Sequence, residues 1–193
     1  MHASDAEAEH ATLRVLKDAG DALLIALDAL PAPTLTTMSD KARALHDELG
    51  QSQPHKCLVF TRRRLCCRVL TATLEEFARV PADALHGWRI GWVMSVGSLG
   101  VAQGRASERM GVDAQAASIA DFRGSLRMLI ATSIVEEGID VPECDAVISF
   151  DHAITSRELQ QRRGRARASN SAYVSMLSRG NQTAVVGQVS LNQ

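Results

Sequence analysis

From Ala11 to Leu30 the apolar residues Leu13, Leu16, Leu23, Leu24, Leu27 and Leu30 recur at helical spacing, broken by Gly20 and closed by Pro31 and Pro33. That periodicity predicts a helical arm. Ser39 is placed to cap a second helix in which Ala42, Leu45 and Leu49 share one face, and Gly50 is the expected end before the polar QSQPHK connector. From Lys56 the pattern changes. Short apolar runs at Cys57–Phe60, Ile90–Val96, Met128–Ala131, Ala146–Phe150 and Ala172–Leu177 are separated by helix-like stretches over 63–79, 113–123 and 155–168.

A strand with one wet face alternates apolar and polar residues, whereas these runs are continuous, as in strands buried on both sides. Strands of that kind, with helical stretches between them, predict βαβ units: an α/β fold with a parallel sheet and helices on both faces. The expected division is a helical arm and linker over 1–50, the compact domain over 51–181 and a tail over 182–193. Ligands of such sheets sit at the strand C-terminal ends, so chemistry is expected in the segments that leave each strand. The segment between Val96 and Asp113, with Gly97, Gly100, Gly104 and Gly111, has no periodicity and reads as a loop.

At 193 residues, 46% hydrophobic and 22% charged, the chain can bury a real core. The four cysteines, Cys57, Cys66, Cys67 and Cys144, lack CxxC spacing and histidine partners at zinc-ligand distances, so free thiols and no metal site are expected. The N-terminus, MHASDAEAEH, has neither a basic nor an apolar signal region, and no stretch nears the roughly 18 apolar residues of a membrane span. A cytoplasmic or nuclear protein, neither secreted nor membrane-bound, is expected. The net charge of −1 argues against nucleic acid coating the whole surface, but Arg157, Arg162, Arg163, Arg165 and Arg167 crowd eleven consecutive positions. Phosphate, if bound, is bound locally.

Two segments carry candidate chemistry. After Met128–Ala131 the chain reads Thr132-Ser133-Ile134-Val135-Glu136-Glu137-Gly138-Ile139-Asp140-Val141-Pro142. Small hydroxyls can donate to phosphate, Gly138 permits close backbone approach, and Asp140 can accept from a ribose hydroxyl. Taken alone, that is also an ordinary strand-to-loop turn. The second segment, TSRELQQRRGRARA over 155–168, opens with a capping box of Thr155 and Glu158. Gly164 within it points to a helix end or a close approach, and arginine in place of lysine favours bidentate grip on phosphate. An exposed basic patch is the alternative for such a run.

Together these residues resemble a known family. ATSIVEEGIDVP at 131–142 resembles motif V, and QRRGRARA at 161–168 resembles motif VI, of superfamily 2 helicases in the Dicer and innate-immune RNA-sensor branch. CLVFTRRR at 57–64 resembles motif IV, and Gln115, Ile119, Phe122 and Arg123 resemble the helix that precedes the motif V strand. ASNSAYVSMLSRGN at 168–181 is similar to the strand that follows motif VI in Dicer-like proteins. DEAD-box proteins and archaeal repair helicases tend to end motif VI in GRTGR, whereas this chain has GRARA.

The resemblance implies a RecA-like fold, the second of two lobes. It implies that Arg165 and Arg167 are arginine fingers on the γ-phosphate of ATP, with Gln161 beside them and Gly138 and Asp140 at the ribose. It implies RNA contacts through Thr61, Arg62, Thr132, Ser133 and the loop near Gly97, addressed to the backbone of RNA, expected to be double-stranded. The chain departs from a complete helicase core. Its lysines are Lys17, Lys41 and Lys56, none after a glycine, and its one Asp-Glu pair, Asp47-Glu48, lies in a predicted helix. Walker A and Walker B are absent, so ATP and Mg2+ are expected to be held mainly by an N-terminal lobe, in cis or in trans. The expected function is the C-terminal lobe of an ATP-dependent RNA helicase in RNA silencing or small-RNA processing, inactive alone. A standalone RNA- or helicase-binding module and a truncated gene product are the alternatives. Trp88 and Trp92 are expected in the core.

Overall fold

Cys57–Phe60 (β1) is buried along its whole length and lies at the centre of a sheet. The computed structural model describes residues 34–94, 112–132, 141–151, 155–166, 171–177 and 189–190. The helical arm expected over 11–30 and the glycine-rich loop lie outside them. Around β1 are Asp40–Ser52 (α1), Arg64–Arg79 (α2), Ile90–Val93 (β2), Val112–Arg123 (α3), Met128–Ala131 (β3), Ala146–Ser149 (β4), Ser156–Arg163 (α4), Ala172–Ser175 (β5) and Val189–Ser190 (β6). The sheet order is β2-β3-β1-β4-β5-β6. The first five strands in that order run parallel, and β6 pairs with β5 antiparallel. The expected parallel α/β sheet is present, and residues 189–190 of the expected tail add an antiparallel edge.

Side chains alternate between two cores, one on each face of the sheet. Cys57, Val59, Met128, Ile130, Ala146 and Ile148 meet Leu45 and Leu49 of α1 and Leu70, Leu74 and Phe77 of α2. Leu58, Phe60, Leu129, Ala131 and Val147 meet Ile119 and Phe122 of α3, together with Cys144 and Ala166. This two-sided burial is why each strand reads as a continuous apolar run. Helix α1 belongs to the packed unit, because Met38, Leu45 and Leu49 are buried in the first core.

Three details differ from the pattern in the sequence. Helix α1, capped by Ser39 accepting from the Ala42 N–H, passes Gly50 and ends at Ser52. Gln53 then takes the left-handed conformation, at φ 43°, and its N–H bonds the Leu49 carbonyl. Gly50 serves a close approach: a Cβ there would lie 3.1 Å from that of Ala84. Helix α4 stops at Arg163, and Gly164 caps it at φ −65°, so this glycine ends a helix without needing a left-handed turn. Strand β2 ends at Val93, earlier than the apolar run Ile90–Val96.

The N-terminal edge of the sheet is a set of structural ties. Lys56 Nζ donates to the carbonyls of Phe122, Gly124 and Leu126 at 2.6, 2.9 and 2.7 Å, closing the C-terminus of α3. Its backbone N–H bonds the Asp145 carboxylate at 2.8 Å. Arg127 stacks 3.8 Å from the centre of the Trp88 ring and donates to the Pro54 carbonyl. Trp88 is buried and Trp92 packs against both cores, as expected of core residues.

Candidate functional site

Registers of the central strands bring their C-terminal ends level: Phe60 pairs with Ala131 on one side and with Ser149 on the other, and Ala131 pairs with Val93. The residues that follow, Thr61, Thr132 and Phe150-Asp151, therefore share one edge of the molecule. Three of the motif-bearing segments leave the sheet here.

Thr61 and Thr132 are both buried. The Thr61 N–H donates to the Ala131 carbonyl at 2.8 Å, and the Thr132 N–H to that of Val93 at 3.2 Å, so each extends the ladder by one step. Arg62 is exposed. Gln115 of α3 donates to the Met94 carbonyl at 3.1 Å and so ties that helix to the same edge, while Ile119 and Phe122 enter the second core.

Helix α4 begins where Thr155 accepts from the Glu158 N–H at 3.1 Å, half of the expected capping box. Its arginines divide. Arg157 is exposed, Arg163 is half-buried, and Arg162 is 2% exposed. Arg162 turns inward, donating to the Ser149 hydroxyl and to the Asp151 carbonyl, with its guanidinium 5.2 Å from the Phe60 ring centre. Buried arginine is costly without such acceptors, and these lie where β4 ends.

Arg165 and Gln161 are half-buried at the end of α4. Burial pushes the Cys144 thiol up to about 12, with Asp145 adding to the shift and the charges of Lys56 and Arg165 opposing it. Arg167, Ser133, Gly138, Asp140 and Gly97 lie outside the described residues.

The residue that the sequence did not single out is Asp151. Its carboxylate accepts from the Arg62 N–H at 2.8 Å and pairs with Lys41 of α1 at 3.6 Å. Its carbonyl accepts from Arg162 at 2.7 Å and from the Ser149 hydroxyl at 2.8 Å. A lone aspartate after an apolar strand looks like a turn residue, so only the register of β1 and β4 shows what it joins. Among the described residues no cluster of three or more His, Cys, Asp or Glu is placed to hold a metal. No helix among them is long and apolar enough to cross a membrane.

Residues 40–169 match the model of the helicase conserved C-terminal domain. The chain is 37% identical over 153 residues to Dicer-like protein 1 of Aspergillus niger, covering 77% of this chain and 9% of that protein. It is 30% identical over 162 residues to Dicer-like protein 1 of Cryphonectria parasitica, covering 82% and 10%. It is 33% identical over 134 residues to endoribonuclease Dicer homolog 2a of Oryza sativa subsp. japonica, covering 66% and 8%. The chain thus spans a tenth or less of the length of these relatives. In fold it is similar to the C-terminal domain of the DEAD-box protein Dbp5, with a TM-score of 0.53 at 20% identity over 72% of this chain and 69% of that one. It is also similar to the Pyrococcus furiosus Hef helicase domain, with a TM-score of 0.50 at 24% identity over 75% and 27%. The match over 40–169 shows that the chain belongs to the helicase conserved C-terminal domain family, and over most of its length it is similar to Dicer-like proteins.

Proposed function

We infer that this chain is the C-terminal lobe of an ATP-dependent helicase or translocase acting on double-stranded RNA, completed by an N-terminal RecA-like lobe in cis or in trans. The observation that carries the reading is the convergence on Asp151 of Arg62, at the end of the motif IV strand, and Arg162, in the motif VI helix. Arg62, suited to a nucleic-acid backbone, and α4, which leads into Arg165, therefore lie at one edge of the sheet.

In this reading Arg165 and Arg167 reach the γ-phosphate of an ATP held by the other lobe, with Gln161 beside them. Phosphoryl transfer develops charge on equatorial oxygens, and a guanidinium placed there is worth roughly 10³–10⁵ in rate. Gly138 and Asp140 approach the ribose. In this reading Mg2+ is held by the other lobe, which supplies the Lys-bearing loop and the strand-end Asp-Glu pair that this sequence lacks. RNA meets Arg62, with Thr61, Thr132, Ser133 and the loop at Gly97 lining its path, and contacts of that kind favour RNA geometry over sequence. The Dicer-like relatives favour RNA silencing or small-RNA processing as the setting.

The RNA half of this reading is tested by fluorescence anisotropy of labelled double-stranded RNA titrated with the chain at several salt concentrations. Weak binding that falls with salt is expected, with Arg62→Ala reducing the slope of log affinity against log salt by about 1. Binding indifferent to salt and to Arg62→Ala would remove Arg62 from the interface.

A further inference from the structure

Asp151 uses its two ends on two different segments. The carboxylate holds the first residue of the loop after Thr61, through the Arg62 N–H at 2.8 Å, and also faces Lys41 at 3.6 Å. The carbonyl, one peptide away, holds Arg162 at 2.7 Å and Ser149 at 2.8 Å. The residue is itself fixed by the strand beside it, because the Phe60 carbonyl accepts from the N–H groups of Phe150 and Asp151 at 2.9 and 3.3 Å. The Arg62 N–H and the Arg162 guanidinium are thus both bonded to one residue, by its side chain and by its backbone.

A bond from a backbone N–H to a carboxylate is stronger than a neutral one, and so is a bond from a guanidinium to a carbonyl. Both run through a single residue with few torsions between them. The side chain of Asp151 is 25% exposed and that of Lys41 22%, so the ion pair is a weaker tie than the hydrogen bonds. The segments joined are the two that would meet different ligands, Arg62 facing RNA and α4 leading into Arg165.

We propose that Asp151 is a positioning residue that couples the Arg62 loop to the α4 helix, so that movement imposed on one by its ligand is passed to the other. The joining of the two segments stands on the hydrogen bonds alone, and only the identity of the ligands rests on the function inferred above. Coupling of this kind needs an element with a shared, over-determined geometry, and the Asp151 peptide is that element.

Amide hydrogen exchange followed by NMR on the full chain tests it without any ligand. In Asp151→Ala the Arg62 amide and the α4 amides should exchange about tenfold faster together, the scale of losing one charge-assisted bond, with β2 and β3 unchanged. Asp151→Asn keeps an acceptor for the Arg62 N–H and the whole backbone, and should restore most of the protection in both segments. Ser149→Ala, which cuts only the hydroxyl leg, serves if Asp151→Ala does not fold: α4 and the Arg62 amide should loosen together in it as well. Loosening of one segment without the other, in either variant, would overturn the coupling.

A second titration adds a short double-stranded RNA. Protection of α4 on RNA addition in the wild type, lost in Asp151→Ala, extends the coupling to ligands. Failure of RNA to change any amide would sink the RNA reading of Arg62, while the ligand-free exchange still decides the coupling.

Discussion

Arg162 reaches back from α4 to Asp151, its Nη1 2.7 Å from the Asp151 carbonyl oxygen, with the residue only 2% exposed and its guanidinium against the Phe60 ring. An arginine in the middle of a basic run thus serves the interior. One nitrogen, Nη1, donates to both the Ser149 hydroxyl and the Asp151 carbonyl, which ties α4 to the end of β4.

Removing that donor should cost stability. Arg162→Ala leaves a cavity beside Phe60 and strips a donor from two buried acceptors, an expected loss of about 3 kcal/mol. Arg162→Lys, which keeps a charged donor but loses the flat guanidinium against Phe60, should recover only part of it. Urea denaturation of the three proteins decides it, and a loss below about 0.5 kcal/mol for Arg162→Ala would mean that the side chain is not held as described.

At the opposite edge of the sheet, Lys56→Met should cost about 2 kcal/mol, because the carbonyls of Phe122, Gly124 and Leu126 lose a shared donor. This variant lies away from the strand C-terminal ends, so RNA affinity at a temperature where it remains folded should match the wild type. A change in both would show that the two edges are not independent.

Burial pushes Cys66 up to about 11 and Cys67 and Cys144 up to about 12, and Cys57 well above its usual value. At pH 8 thiolates are therefore scarce in the folded chain, and iodoacetamide should label it at least about 100-fold more slowly than the urea-unfolded chain, with Cys66 first. The sign of the pH dependence follows. Pushed-up thiols contribute stability that is complete below about pH 9, the unfolded value, and is lost as pH rises toward 11–12, because the unfolded state releases those protons first. Denaturation midpoints should fall between pH 9 and 11, and less steeply in Cys67→Ala compared with its own pH 8 value.

Much of the fold is legible in the sequence because two-sided burial leaves an unmistakable mark. Cys57–Phe60 and Met128–Ala131 are apolar at every position and bounded by polar residues, so β1 and β3 begin and end where the runs do. Boundaries set by tertiary contact are not legible. Gly50 looks like a helix stop and is instead a close approach to Ala84, while Gln53, a residue with no preference for positive φ, makes the left-handed turn. The site is half legible. The spacing of Gly164 among arginines marks α4 and its end, but nothing in a run of like residues says that Arg162 faces inward. Asp151 is invisible for a different reason: its role depends on strands 89 positions apart in the chain lying side by side.

The lobe is proposed to complete an ATPase that it cannot perform alone. RNA-stimulated ATP hydrolysis should be measured for the purified chain, for a Dicer-type N-terminal helicase lobe, and for the two mixed, with Arg165→Ala in place of the wild-type chain as the control. Hydrolysis is expected only in the mixture, with a loss of roughly 10³-fold or more with Arg165→Ala. Equal activity of the mixture with wild-type chain and with Arg165→Ala, or no activity in any mixture, would contradict it and leave a binding module in its place.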